Sequence, residues 1–179
     1  MAQTTKTATT ATRRSALLAG AGFGALGLFG LGRSTEAEAK EEFPFSLTEA
    51  EWRERLTAEQ FYVLREEGTE RAFTSPLNDV KAAGIFHCAG CDQALYSSEH
   101  KFDSGTGWPS FYKPISPEAV ANKTDYVLFY PRKEEHCSNC GGHQGHVFND
   151  GPAPTGKRHC INGIALIFKP ANGGAPIVG

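Results

Sequence analysis

Cys88-Ala-Gly-Cys91 and Cys137-Ser-Asn-Cys140 are two C-x-x-C units with 45 residues between them, and they set the frame for the rest of the chain. A two-residue gap lets both thiolates of a tight turn face one side, so two such turns complete a tetrahedron of soft ligands of the kind Zn2+ takes. Gly90 lies inside one turn and Gly141 just after the other. There backbone N–H groups can approach the sulfurs and share their negative charge. Four thiolates close the coordination shell, which predicts a structural zinc with Cys88, Cys91, Cys137 and Cys140 as its ligands. Two rival readings stand beside it: a thioredoxin-like redox pair, which needs a C-x-x-C opening a helix, and a pair of disulfides in an exported chain.

Both units follow β-like runs. Gly84–Cys88 and 94–97 flank the first, 126–130 precedes the second, and 145–148 and 161–168 come after it, all divided by Gly, Pro, Asn and Asp turns. Upstream the pattern is helical: Thr48 with Glu51 and Thr57 with Gln60 have capping-box spacing, and Leu56, Phe61 and Leu64 form an apolar stripe ending at Gly68. The expected fold is mainly β, with antiparallel sheets braced by a four-cysteine zinc site and short N-terminal helices.

The chain has 179 residues, 40% of them hydrophobic, and a formal charge of −2. No Lys/Arg excess exists to neutralise a run of phosphates, which excludes a strongly basic nucleic-acid binder. Ordinary charged and aromatic fractions, 21% and 11%, exclude fibrous and wholly disordered classes. Residues 1–35 hold no Asp or Glu, and Arg13-Arg14 precedes an apolar, Gly-rich stretch over 15–32 that is followed by Ala37-Glu38-Ala39. This reads as a twin-arginine signal over 1–39, cleaved after Ala39, and it predicts a periplasmic or otherwise exported protein without stable membrane insertion. The alternatives are a membrane anchor, for which the stretch is short and glycine-weakened, and an organellar transit peptide. The remaining domain, 40–179, carries 14 Lys/Arg against 18 Asp/Glu, a formal charge of −4.

Cys160 is left over from the zinc set. It follows Lys157-Arg158-His159, a cationic setting that favours a reactive thiolate, while the bland reading is a buried strand cysteine. His143 and His146 lie in Gly142-His143-Gln144-Gly145-His146-Val147-Phe148-Asn149-Asp150, where glycines argue for a loop or strand. There the imidazoles serve as proton donors or are merely structural. Trp108 sits in the turn 103–111, either as core packing or as a ligand contact. Nothing in the spacing says that these clusters meet.

Four stretches taken together carry a resemblance: Gly-Thr-Glu-Arg-Ala-Phe at 68–73, Ser-Gly-Thr-Gly-Trp-Pro-Ser-Phe at 104–111, His-x-Gly-His-Val-Phe at 143–148 and Arg-x-Cys-Ile-Asn at 158–162. From Leu47 to Phe168 the chain resembles the methionine-R-sulfoxide reductases of the B type, with both C-x-x-C units in the family's positions. The resemblance implies a β-tent fold and peptide-bound methionine-R-sulfoxide, in oxidised proteins or peptides, as substrate. It implies Cys160 as the nucleophile and His143, His146 and Asp150 around the sulfoxide oxygen. Arg158 and Asn162 would support the thiolate and its loop, with Trp108 and Phe148 on the substrate. Many members keep a resolving cysteine where this chain has Thr106. That departure predicts a Cys160 sulfenic acid reduced by an external thiol, such as a thioredoxin-like protein. Gln144 stands where Leu is common. Two other classes compete: a zinc-braced β-tent binding module with an inert Cys160, and a thiol-disulfide oxidoreductase that uses the C-x-x-C pairs.

Overall fold

Two short helices begin the described part of the chain because each carries a complete cap. In α1 (Glu49–Arg55) the Thr48 side chain accepts the Glu51 N–H while Glu51 returns to the Thr48 N–H. In α2 (Ala58–Glu66) Thr57 and Gln60 do the same. These reciprocal bonds satisfy amides that a helix start otherwise leaves open, as the spacing predicts. The computed structural model describes residues 42–125 and 131–179. The expected signal over 1–39 and the expected strand over 126–130 lie outside them. No helix among the described residues is long and apolar enough to cross a membrane.

Among the described residues ten strands follow: β1 (Gly84–Cys88), β2 (Ala94–Ser97), β3 (Lys101–Phe102), β4 (Ser110–Phe111), β5 (Val120–Asp125), β6 (Arg132–Cys137), β7 (His143–Phe148), β8 (Arg158–Ile161), β9 (Leu166–Pro170) and β10 (Ile177–Val178). They form two open sheets, one ordered β10-β9-β1-β2 and the other β3-β4-β8-β7-β6-β5. Every recorded pairing is antiparallel. Phe86 and Phe168 of the first sheet meet with ring centroids 4.8 Å apart, and Phe86 meets Phe111 of the second at 4.9 Å. Tyr96 stacks on Phe111 at 4.3 Å, so fully buried aromatics tie the sheets together. The fold is the expected mainly-β architecture with N-terminal helices.

One reading changes. The run over 161–168 is not one strand, because the turn Gly163–Ala165 separates β8 from β9. The physical reason is Glu70, whose carboxylate accepts the amides of Gly163 at 2.5 Å and Ile164 at 3.0 Å and so takes donors a continuous strand would use. The charged run Arg132–Glu135 lies in β6 with Glu134 and Glu135 2% and 0% exposed.

Candidate active site

The four-cysteine frame comes from two turns of the same design. The N–H of Asp92 donates to the Cys88 carbonyl and the N–H of Gly141 to the Cys137 carbonyl, each at 2.8 Å. Asp92 and Gly141 are both left-handed, at φ 66° and 67°. The turns converge so that Cys88 and Cys140 Sγ lie 3.7 Å apart, Cys91 and Cys137 Sγ 3.6 Å apart, and all four within 4.8 Å. Zn–S bonds of ~2.3 Å in a tetrahedron require S···S edges of ~3.8 Å. The donor set therefore fits a structural zinc, and a thiolate-binding cation would relieve the crowding that pushes Cys88 and Cys140 up and Cys91 and Cys137 down through their mutual hydrogen bonds. Neither unit opens a helix, since β2 follows the first and β7 the second. The helices brace the turns: Arg55 donates to the Gly90 carbonyl at 2.6 Å, and Arg65 to the Cys140 carbonyl at 2.9 Å.

Register brings the other cluster together. Across the six-stranded sheet Ser110 pairs with Cys160, Cys160 with His146, His146 with Glu134 and Glu134 with Lys123. Directly opposed residues of an antiparallel sheet share a face, so the half-buried Cys160 thiol and the His146 imidazole stand side by side on it. Gly145 permits this approach, because a Cβ there would lie 2.0 Å from the Cys160 carbonyl oxygen. His143 meets His146 edge to face at 5.5 Å between centroids. Its Nδ1 bonds the buried Glu134 carboxylate at 2.7 Å, while its Nε2 is buried without a hydrogen-bond partner among the described residues. The Glu134 carboxyl is held below the ordinary carboxylate range: burial opposes ionisation, and hydrogen bonds from His143 and Lys123 outweigh it.

The remaining expected residues surround this row. Thr106 Oγ1 lies 3.8 Å from Cys160 Sγ and is tied through Ser104 to Ser110 by contacts of 2.8 and 2.7 Å. Arg158 grips Asp150 with two hydrogen bonds of 2.9 and 2.8 Å and covers the Phe148 ring at 4.4 Å. That pairing lowers Asp150 and raises Arg158, and it commits both Asp150 oxygens to the guanidinium. Trp108 Nε1 donates to the Glu70 carbonyl at 3.2 Å. Asn162 accepts the Glu70 N–H at 3.0 Å and donates twice to the Gln144 carbonyl, at 2.8 Å from its backbone and 3.0 Å from its side chain.

Gln144 also links this cluster to the metal frame. Its fully buried amide nitrogen donates to Cys88 Sγ at 3.5 Å and to the Gly142 carbonyl at 3.2 Å, while its oxygen is buried without a hydrogen-bond partner among the described residues. Sequence reasoning assigned no role to Glu70 or Glu134. Glu70 stood inside a quoted motif, but Glu134 was hidden in a charge run, and only its neighbour across the register reveals it. Glu135 is likewise new: it joins Tyr96 and His159 between the sheets, on the opposite face of β8 from Cys160. A cavity of about 570 Å³ lies by the helices and touches His143 and Cys140. Cys160 is not part of its lining.

Comparison with known proteins agrees with this geometry. A family model described as the SelR domain matches residues 56–170. The chain is 51% identical over 123 residues to a peptide methionine sulfoxide reductase MsrB of Agrobacterium fabrum, covering 69% of this chain and 91% of that one. It is 56% identical over 122 residues to the protein of the same name in Methanosarcina barkeri, covering 68% and 86%. A chloroplastic peptide methionine sulfoxide reductase B1 of Oryza sativa is 51% identical over 130 residues, covering 73% of this chain and 61% of the rice protein.

Proposed function

The chain belongs to the SelR family of MsrB-type methionine sulfoxide reductases and is an oxidoreductase, and from that premise we propose that it reduces peptide-bound methionine-R-sulfoxide through Cys160. The observation that carries this reading is the register that sets Cys160 opposite His146, with His143 Nε2 nearby, buried and unpartnered among the described residues. A sulfoxide oxygen is a poor leaving group, so its removal needs a thiolate attacking sulfur on one side and an acid on the other. The Cys160 thiolate attacks the sulfoxide sulfur while the imidazoles supply protons to the oxygen. The net change is transfer of one oxygen: the sulfoxide sulfur gains two electrons and becomes a thioether, and the Cys160 sulfur loses two and becomes a sulfenic acid.

Arg158, anchored by Asp150, sets a positive charge on the strand that carries Cys160 and supports the attacking sulfur. Trp108 offers an aromatic face to a sulfur that gains positive character as its oxygen is protonated, and Phe148 completes that wall. Asn162 holds the loop through Glu70 and Gln144. Cys88, Cys91, Cys137 and Cys140 would hold the zinc, which supplies structural cross-linking of the two turns when bound. Thr106 has no thiol to offer, so two equivalents of an external thiol return the sulfenic acid to Cys160 with release of water and a disulfide.

Residues 1–39 are proposed to direct export by the twin-arginine route, which carries folded proteins and lets zinc load before the thiols meet an oxidising compartment. Recovery of the chain from the periplasm without zinc would remove this rationale. The test of the activity is a single turnover without reductant on a peptide carrying racemic methionine sulfoxide. Consumption of the R epimer alone, about one methionine per chain and one oxygen gained by the protein are the expected results. No methionine from zinc-loaded protein with reduced Cys160, even with a dithiol present, would leave a binding module as the better account.

A further inference from the structure

Phe73 is the most exposed large hydrophobic side chain among the described residues, at 74%. It also holds a left-handed backbone, φ 65°, a conformation that costs an aromatic residue energy and that glycine adopts freely. A strained conformation that contributes no burial persists only where its surroundings enforce it, and such outliers gather at functional sites.

The surroundings here are specific. The Phe73 N–H donates to the Gly107 carbonyl at 2.8 Å, and Asn78 Nδ2 donates to the same oxygen at 3.1 Å. The Phe73 ring lies on Gly107 so closely that a Cβ there would come within 2.8–2.9 Å of ring carbons. Gly107 separates Thr106, which touches the Cys160 sulfur, from Trp108, whose indole is tied to Glu70. Phe73 therefore covers the residue between Thr106 and Trp108 and sets an exposed aromatic ring beside the loop that borders the thiol.

Resting on the reductase reading above, we infer that Phe73 is a substrate-binding residue: its exposed ring receives an apolar side chain adjacent to the oxidised methionine of an extended peptide. Neighbouring residues of an extended chain are spaced ~3.3–3.6 Å apart, so a peptide whose sulfoxide meets Cys160 carries its flanking side chain over the rim of the site. Free methionine sulfoxide has no such side chain and gains nothing from the ring. An exposed aromatic that loses little freedom on binding suits this task.

The experiment compares kcat/KM for three R-sulfoxide substrates, free methionine sulfoxide and two pentapeptides flanked by Leu or by Ser, in the wild type, Phe73→Ala, Phe73→Gly and Phe73→Tyr. The expected result is that Phe73→Ala lowers the ratio of Leu-flanked peptide to free substrate by about tenfold, or ~1.4 kcal/mol, through KM. The ratio of Ser-flanked peptide to free substrate moves less, and Phe73→Tyr restores the preference. Phe73→Gly lowers the same ratio without lowering the melting temperature, because the left-handed strain is gone. Equal loss on all three substrates would overturn the inference, since the ring would then only organise the loop, and so would an unmoved ratio. A wild type that reduces none of the substrates would overturn the reductase reading itself, a result distinct from either.

Discussion

Thr106→Cys restores a thiol at the position closest to the proposed nucleophile, and its effect can be worked from one distance. Thr106 Oγ1 and Cys160 Sγ are 3.8 Å apart, whereas a disulfide needs ~2.05 Å, so the loop must close by ~1.7 Å, part of which the longer C–S bond supplies. The two positions are 54 residues apart. Closing a loop of that size removes enough freedom from the unfolded chain to stabilise the oxidised protein by up to ~4 kcal/mol before strain is subtracted. At ~2–4 °C per kcal/mol the melting temperature of the oxidised variant rises by roughly 10 °C over its reduced form. The chemical consequence is read by intact mass after one turnover. The wild type gains one oxygen, while Thr106→Cys loses two hydrogens, because the new thiol captures the sulfenic acid and expels water. A variant that keeps its zinc, consumes one sulfoxide and still carries the oxygen would refute the reasoning, since position 106 would then not reach the sulfur.

Three further outcomes follow from the site. Cys160→Ser abolishes methionine formation while leaving the zinc content at about one per chain, and residual turnover in that variant would assign the chemistry to another thiol. Gln144→Leu removes the N–H donor to Cys88 Sγ, and zinc transfer to a chromogenic chelator should accelerate by about tenfold, in the range for such supporting bonds; unchanged or slower release would show that the amide does not hold the thiolate. Glu134→Gln tests acid stability. The Glu134 carboxyl is depressed in the fold, so its contribution is complete above the ordinary carboxylate pKa of ~4.3 and is lost as pH falls through the lower folded value. The variant should lose ~1–3 kcal/mol at neutral pH, narrowing toward no difference in acid. Parallel unfolding curves at both pH values would contradict this assignment.

Cysteine spacing and capping boxes were legible because they are local. The turn that aligns Cys88 with Cys91 is closed by its own backbone hydrogen bonds, and Thr48 reaches Glu51 within one helical turn. The four quoted stretches that marked the family also lie within the matched span or touch it. By themselves they left open which side chains meet. That Glu134 and Glu135 are buried could not be read from Arg132-Lys133-Glu134-Glu135, since their partners His143, His159 and Tyr96 come from three other strands.

Sequence by itself determined a four-thiol frame, capped helices, β-type runs and a lone cysteine in a cationic stretch, because each depends on residues a few positions apart. Tertiary structure alone decided that β8 ends at Ile161, where the distant Glu70 carboxylate captures two amides. It also set Cys160 opposite His146 and laid Phe73 over Gly107. These are choices of strand register and loop packing, and a slip of one residue would turn every side chain to the other face. Only the assembled sheet, with Gly145 pressed against the Cys160 carbonyl, selects among those registers.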